Sequence, residues 1–159
     1  MTIILLLNDK KEIVLIPNEA IRIRVIANSN TKEDLSAKEI IKDDINNYVE
    51  KILMDVKTID EARTKLKNSI ELITKSVDKK IKEMNYNMNY TINYGYNYFP
   101  EKEFKGIKYD KGMYESLVIT LGEGKGNNYW CVLYPPLCLI NEEEKEYRLF
   151  IKDLLKQYT

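Results

Sequence analysis

The stretch that decides the fold covers residues 85–98 and reads Asn-Tyr-Asn-Met-Asn-Tyr-Thr-Ile-Asn-Tyr-Gly-Tyr-Asn-Tyr. Aromatic or apolar side chains fall on every second residue, and polar residues or glycine fall between them. A period of two residues is typical of a β-strand that turns one face to a core. Gly95, on the polar side, predicts a bulge or a bend. We therefore predict a strand that ends at Phe99-Pro100.

Two stretches upstream of this strand have the period of a helix. Residues 32–55 carry apolar side chains at intervals of three and four, and Asn30 with Glu33 predicts the N-cap. A capping box at Thr58 and Glu61 opens the second stretch. The apolar face of that stretch consists of Ala62, Leu66, Ile70, Ile73, Val77, Ile81 and Met84. Two long helices joined by a short break predict an antiparallel pair that lies on a sheet.

The rest of the chain completes a single α+β domain. Strand patterns cover residues 2–7, 12–16, 21–27, 113–121 and 129–134, and Asn141 with Glu144 predicts the start of a C-terminal helix. The predicted fold is two long antiparallel helices packed on a mainly antiparallel sheet, plus that C-terminal helix. Residues 1–15 are either a first strand or the remnant of a truncated signal region, because their apolar run lacks the basic start and the cleavage site of a complete signal peptide.

Composition excludes several classes of function. The 159 residues contain no histidine, so neither a Ser-His-Asp nor a Cys-His nucleophilic site can form, nor a zinc site with imidazole ligands. The 25 basic and 25 acidic side chains balance, which gives no general attraction to nucleic acid. The paired carboxylates at residues 43–44 and 142–144 fit solvated helix faces and caps better than catalysis. Chemistry that uses carboxylates, lysines, tyrosines or the two cysteines stays open, and we predict no cofactor and no metal.

The glycine-rich residues 122–126 do not form a nucleotide site. A phosphate-binding loop needs Gly-Lys-Ser/Thr at the start of a helix, whereas here Gly124-Lys125 is followed by Gly126 and a strand. We predict a flexible connection between two antiparallel strands, and no bound nucleotide.

Two cysteines and an aromatic cluster remain as candidates. Cys131 and Cys138, with six residues between them, are two buried thiols in a reducing compartment or a disulfide in an oxidising one, and the residues alone leave both readings open. Tyr129-Trp130 and Tyr134 stand beside Pro135-Pro136. Such a cluster forms either core or the centre of a binding surface.

Three blocks of sequence together carry a resemblance to a known family. They are residues 16–29, Tyr98-Phe-Pro with Lys111-Gly-Met-Tyr-Glu-Ser-Leu, and residues 122–138, which end in Tyr-Trp-Cys-Val-Leu-Tyr-Pro-Pro-Leu-Cys. In this order they resemble the opening block, the middle block and the most distinctive signature of the stage II sporulation protein R family of endospore-forming bacteria. Tyr129, Tyr134 and Asn30 depart from the usual residues of the family. The resemblance assigns residues 16–159 to one domain of this type.

The resemblance implies a signalling protein, not an enzyme, that is secreted into the intermembrane space between forespore and mother cell. Members of the family activate a membrane-embedded aspartic protease, which cleaves the precursor of the mother-cell sigma factor. Membrane contact is then expected only through this partner, and export implies a Cys131–Cys138 disulfide. The partner-binding residues expected on this basis are Trp130, Tyr129, Tyr134, Pro135 and Pro136, with a second patch at Arg22, Asn28 and Ser29.

Two other functions stay open from the sequence. One is an extracytoplasmic hydrolase that uses carboxylates to act on cell-wall material. The other is a cytosolic structural module that kept the fold and lost export.

Overall fold

The computed structural model describes residues 3–6, 11–15, 19–104, 106–137 and 153–156. Its elements in chain order are β1 (Ile3–Leu6), β2 (Lys11–Leu15), β3 (Ile21–Ile26), α1 (Lys32–Leu53), α2 (Ile59–Glu83), β4 (Tyr90–Phe99), β5 (Lys102–Phe104), β6 (Ile107–Tyr109), β7 (Gly112–Leu121) and β8 (Asn128–Tyr134). Residues 153–156 form a short helical turn.

The strands form two sheets of four. In the main sheet the order is β4-β7-β3-β8: β7 is antiparallel to β4 and parallel to β3, and β3 is antiparallel to β8. In the second sheet the order is β1-β2-β6-β5, again with one parallel pair in the middle. The predicted α+β fold with a mainly antiparallel sheet is confirmed.

Side-chain caps start both long helices. The hydroxyl of Thr31 accepts the backbone N–H of Asp34, so α1 begins at residue 32 as predicted but its N-cap is Thr31 instead of Asn30. The hydroxyl of Thr58 accepts the N–H of Glu61, as the capping box predicts, and the Glu61 carboxylate accepts the N–H of Lys57. The two helices run antiparallel, because only residues 54–58 separate them and the far half of α2 hydrogen-bonds back to the middle of α1.

The core lies between the two helices and one face of the main sheet. Both helices place a buried apolar stripe there, and β3 and β7 contribute alternate residues of fully buried Ile, Val and Leu. The stripes consist of Ala37, Ile41, Ile45 and Val49 in α1 and of Ala62, Leu66, Ile73, Val77 and Ile81 in α2. These are largely the residues whose helical spacing predicted them. None of the helices in the described part of the chain is long and apolar enough to cross a bilayer.

Three local predictions have different outcomes. The strand β4 starts at Tyr90 rather than at residue 85, and its pairing with β7 runs without a bulge at Gly95. Residues 122–126 connect β7 to β8, which run in opposite directions as predicted but are not neighbours, because β3 lies between them in the sheet. The cap predicted at Asn141 and Glu144 lies outside the described residues, and the helical turn at residues 153–156 is the described part of the C-terminal helix.

Candidate partner-binding site

The signature Tyr129-Trp130 lies on β8, an edge strand of the main sheet, and its two rings point to opposite faces of that sheet. Tyr129 packs against the core on the helix side. Its hydroxyl accepts a hydrogen bond from the Asn46 side-chain amide at 3.1 Å, and the Lys42 ammonium lies 5.1 Å from its ring centroid. Burial raises the pKa of the Tyr129 hydroxyl. Tyr129 therefore holds β8 to α1.

Trp130 belongs to a layer of aromatic and cationic side chains on the other face. Its ring packs edge-on against Phe99, with centroids 5.8 Å apart. The Arg24 guanidinium lies 5.5 Å and the Lys102 ammonium 4.7 Å from the Trp130 ring. Among the described residues, the buried indole N–H of Trp130 has no acceptor. The half-buried ring is thus a structural contact that still has one unsatisfied donor.

Arg22 is the centre of this layer and is 2% exposed. Its guanidinium carbon lies 3.5 Å from the ring centroid of Tyr114, 5.4 Å from that of Phe99 and 5.7 Å from that of Tyr109. None of its three side-chain nitrogens has a hydrogen-bond acceptor within the described part of the chain. Burial lowers the pKa of Arg22, against smaller opposing effects of Tyr114, Tyr109 and Asp110. A buried cation that lies among aromatic rings, without a hydrogen-bond acceptor among the described residues, is energetically costly.

The second predicted patch does not come together as one surface. Arg22 lies in the layer just described, whereas Asn28 and Ser29 bind the first turn of α1. The Asn28 amide donates to the Asp34 carboxylate at 2.9 Å, and the hydroxyls of Ser29 and Tyr86 donate to the same group. These bonds, from Ser29 first, then Tyr86 and Asn28, lower the pKa of Asp34 to about 2. Asn28 and Ser29 therefore have a structural role that accounts for them.

Asn28 and its neighbour Asn30 also hold the glycine-rich loop of residues 122–126 in place. The Asn28 side-chain oxygen accepts the N–H of Glu123 at 2.8 Å, and that of Asn30 accepts the N–H of Asn127 at 2.7 Å. Gly126 comes so close that a Cβ there would overlap the Ser29 carbonyl. The loop is thus pinned to the end of β3 rather than flexible.

The Pro-Pro turn at the end of β8 lines a groove of about 620 Å³. Tyr134 and Pro135 are buried, the peptide bond between them is cis, and the N–H of Leu137 closes the turn on the carbonyl of Val132 at 3.1 Å. One wall of the groove is Leu133, Tyr134 and Pro136. The other wall is the end of α1 and the loop after it, where the Met54 side chain is 62% exposed. Charged residues of both signs stand at the rim: Glu50, Lys51, Asp55 and Lys57.

The structure describes only one of the two cysteines. Cys131 is buried on β8, on the same side of the strand as Tyr129. Cys138 lies outside the described residues, so the pairing of the two stays a prediction.

One partly buried ion pair was missed from the sequence. The Arg63 guanidinium makes two hydrogen bonds of 2.8 Å to the Glu115 carboxylate, and the Tyr94 hydroxyl donates to the same carboxylate. Burial alone would raise the pKa of Glu115, but the bonds from Arg63 and Tyr94 outweigh it and lower that pKa. Nothing in the spacing of residues 63, 94 and 115 indicates this contact, since three separate elements supply it. The described residues contain no group of three or more Cys, Asp or Glu side chains placed to hold a metal.

Comparison with known proteins places this arrangement in a family. The family model described as Stage II sporulation protein R (spore_II_R) matches residues 17–144. Stage II sporulation protein R of Bacillus subtilis (strain 168) is 34% identical over 128 residues, which are 80% of this chain and 57% of that relative. This chain thus matches little more than half the length of the curated relative. No solved structure matches it. The matched region starts four residues before β3 and runs to beyond the Pro-Pro turn, and the chain belongs to the stage II sporulation protein R family.

Proposed function

We propose that this chain is a secreted signal of endospore formation that binds and activates a membrane-embedded aspartic protease. Activation leads to cleavage of the precursor of the mother-cell sigma factor. Membership of the stage II sporulation protein R family supports the role in sporulation. The protease, the precursor and the site of action, the space between forespore and mother cell, belong to the proposal.

The observation that carries the proposal is the groove beside the Pro-Pro turn. A protein that acts by contact needs an accessible apolar surface with a polar rim, because binding energy concentrates where water is excluded. The groove has this form: the half-buried Pro136, with the buried Leu133 and Tyr134 behind it, forms one wall, the exposed Met54 stands on the other, and charges lie around them. The wall residues come from the signature of residues 122–138.

The groove is a better candidate than the tryptophan itself. Trp130 and Tyr129 are both engaged inside the molecule, with Phe99 and with Asn46. We infer that the aromatic pair holds the end of β8 in position and that the Pro136 side of the turn makes the contact. The occupant is then an apolar segment of the protease that projects from the membrane on the extracytoplasmic side.

The hydrolase alternative finds little support in the two buried carboxylates of the described residues. A general acid in glycoside hydrolysis needs a raised pKa. Hydrogen bonds lower the pKa of Asp34 to about 2, and they also lower that of Glu115. Both carboxylates bind groups of the chain itself, so neither is placed to meet a substrate.

A reconstitution with a matched pair of variants tests the proposal. The protease and the sigma-factor precursor are expressed in a non-sporulating host, with this chain fused to an export signal. Precursor cleavage is expected with the native chain and with Ile40→Glu, which changes an exposed apolar residue of α1 outside the groove. Cleavage is expected to fall at least tenfold with Met54→Glu, because a carboxylate enters the apolar wall. No cleavage with the native, folded and secreted chain would reject the signalling role, and equal cleavage by both variants would reject the groove.

Export also predicts the state of the cysteines. In the secreted chain we expect Cys131 and Cys138 to be joined, closing an eight-residue ring worth about 2.5 kcal/mol in the chain-entropy model. Alkylation before and after reduction, followed by mass spectrometry, counts the free thiols. Two alkylated thiols in unreduced secreted protein would contradict this part of the proposal.

A further inference from the structure

The outer edge of β4 is the feature that the proposed function does not use. The strand is ten residues long and stands at the end of the main sheet, so its second side has no strand beside it among the described residues. Natural edge strands are usually protected by lysine, proline, a bulge or short length. Residues 90–99 contain no charge and no proline, and their register with β7 is unbroken.

Exposed apolar side chains accompany this open edge. Tyr96 is 70%, Tyr98 55% and Met113 60% exposed, and Tyr98 lies directly opposite Met113 in the β4–β7 pair. On the same face of β4, Ile92 and Tyr94 pack against the core below α2. On this face, the first half of β4 is therefore covered by α2, and the second half is exposed to solvent.

The sequence of β4 is suited to pairing with itself. Residues 93–97 read Asn-Tyr-Gly-Tyr-Asn, which is the same in both directions about Gly95. An antiparallel pair centred on Gly95 sets Tyr94 opposite Tyr96 and Asn93 opposite Asn97, and it sets Ile92 opposite Tyr98. Aromatic and aliphatic cross-strand pairs stabilise antiparallel sheets, and no like charges meet.

We propose that β4 pairs with β4 of a second copy of this chain, in an antiparallel dimer whose two-fold axis passes through Gly95. The main sheets of two copies then join into one sheet of eight strands. The bare tyrosines of each copy lie beside the residues that α2 covers in the other. Because the same patch serves on both copies, the assembly closes at two chains instead of growing into a fibre. The dimer does not depend on the proposed signalling role.

The mass in solution is the first test, and it needs no variant. Sedimentation of the full chain over a series of concentrations is expected to show twice the chain mass of 18.8 kDa at the upper end. A single-chain mass throughout the series overturns the proposal.

Cross-linking tests the position of the axis. Gly95→Cys brings two thiols together, since directly opposed residues lie about 4.5–5.5 Å apart between Cα atoms, within disulfide range. The added Cβ would lie no closer than 3.6 Å to its nearest neighbour, Asn93, so the variant is expected to fold. Thr91→Cys is the matched control, because its two copies would lie about 26 Å apart in this register. Cross-linking of Gly95→Cys well above both Thr91→Cys and the native chain supports the dimer, and equal cross-linking of the two variants overturns its register.

A surface variant tests which side chains stabilise the pair. Tyr96→Lys removes its cross-strand aromatic pair twice in the symmetric dimer, which is expected to raise the dissociation constant roughly two- to thirtyfold. Met54→Lys, a similar change at the groove, is expected to leave it unchanged. Circular dichroism confirms that both variants are folded, and a dissociation constant equally insensitive to both would overturn the role of the tyrosines.

Discussion

Replacing Arg22 by methionine is expected to stabilise the protein. In the native chain the guanidinium is 2% exposed and none of its nitrogens has an acceptor within the described part of the chain. Methionine fills most of the same volume with apolar atoms and retains contact with the rings of Tyr114 and Phe99. The substitution therefore removes a buried charge without opening a large cavity.

The magnitude follows from two opposing effects. Burying an ion in a protein costs several kcal/mol, even after the surroundings relax. Attraction to the aromatic rings, of which Tyr114 is closest at 3.5 Å, returns about 2 kcal/mol or somewhat more in a dry site. Because burial lowers the pKa of Arg22, we take desolvation to be the larger effect. The free energy of unfolding is then expected to rise by about 1–4 kcal/mol, the range found when buried charges give way to apolar residues.

Arg24→Met is the matched control on the same strand and the same face. Arg24 is only half-buried, and its Nε donates to the Asn128 side chain at 3.0 Å. Loss of this bond and of the contact with Trp130 is expected to lower the free energy of unfolding by about 1–2 kcal/mol. The two arginines should thus respond to one substitution with opposite signs.

Urea denaturation of the three chains at neutral pH measures both effects. If Arg22→Met destabilises the protein as much as Arg24→Met does, the guanidinium has acceptors and the reasoning is refuted. The same variant can be tested for activation of the protease. Higher stability together with lost activation would mean that Arg22 is needed for binding although its burial lowers the stability of the fold, as in other stability–function trade-offs.

Three further outcomes are expected. Because the pKa of Asp34 falls from its ordinary value to about 2 on folding, its stabilising contribution is present above pH ~4 and lost as the pH drops towards 2; Asp34→Asn should remove that part of the acid dependence in urea titrations at several pH values. Gly126→Ala should lower the free energy of unfolding by about 1–3 kcal/mol through overlap with a backbone carbonyl, whereas Gly95→Ala should change it by less than about 0.5 kcal/mol, and equal losses in thermal denaturation would contradict this. Glu115→Gln should cost about 1–3 kcal/mol because the Arg63 guanidinium loses its buried carboxylate partner and keeps only the exposed Asp60, and a neutral effect at low salt would show that solvent already screens the pair.

Local sequence signals predicted the helices and the long strand well. The Thr58 capping box and the helical stripes depend on residues three or four apart, and the alternation of β4 depends on neighbours. The position of β3 between β7 and β8 was missed, because strand order is set by contacts between residues about a hundred positions apart. Tyr86 continues the alternation of β4 yet lies outside the strand, since its hydroxyl binds Asp34.

The candidate site was predictable in its residues but not in their arrangement. Tyr129 and Trp130 are adjacent in sequence and therefore point to opposite faces of β8, which separates them into two different environments. From the sequence, Asn28 and Ser29 could either stabilise the start of a helix or form a binding surface. Their hydrogen bonds to Asp34 show that they stabilise the start of α1. The groove joins the end of α1 to the Pro-Pro turn, and no short-range pattern connects those two segments.

Because β3 lies at the centre of the main sheet, that sheet can form only late during synthesis of the chain. Both of its neighbours, β7 and β8, are made only after residue 111, so the helices are complete long before their apolar stripes have a sheet to cover. A topology dominated by such distant pairings folds slowly and late. If the chain is secreted, as proposed, this late folding has a use. The polypeptide would stay unfolded enough to pass through an export channel until its last strand is made, and it would fold on the far side of the membrane.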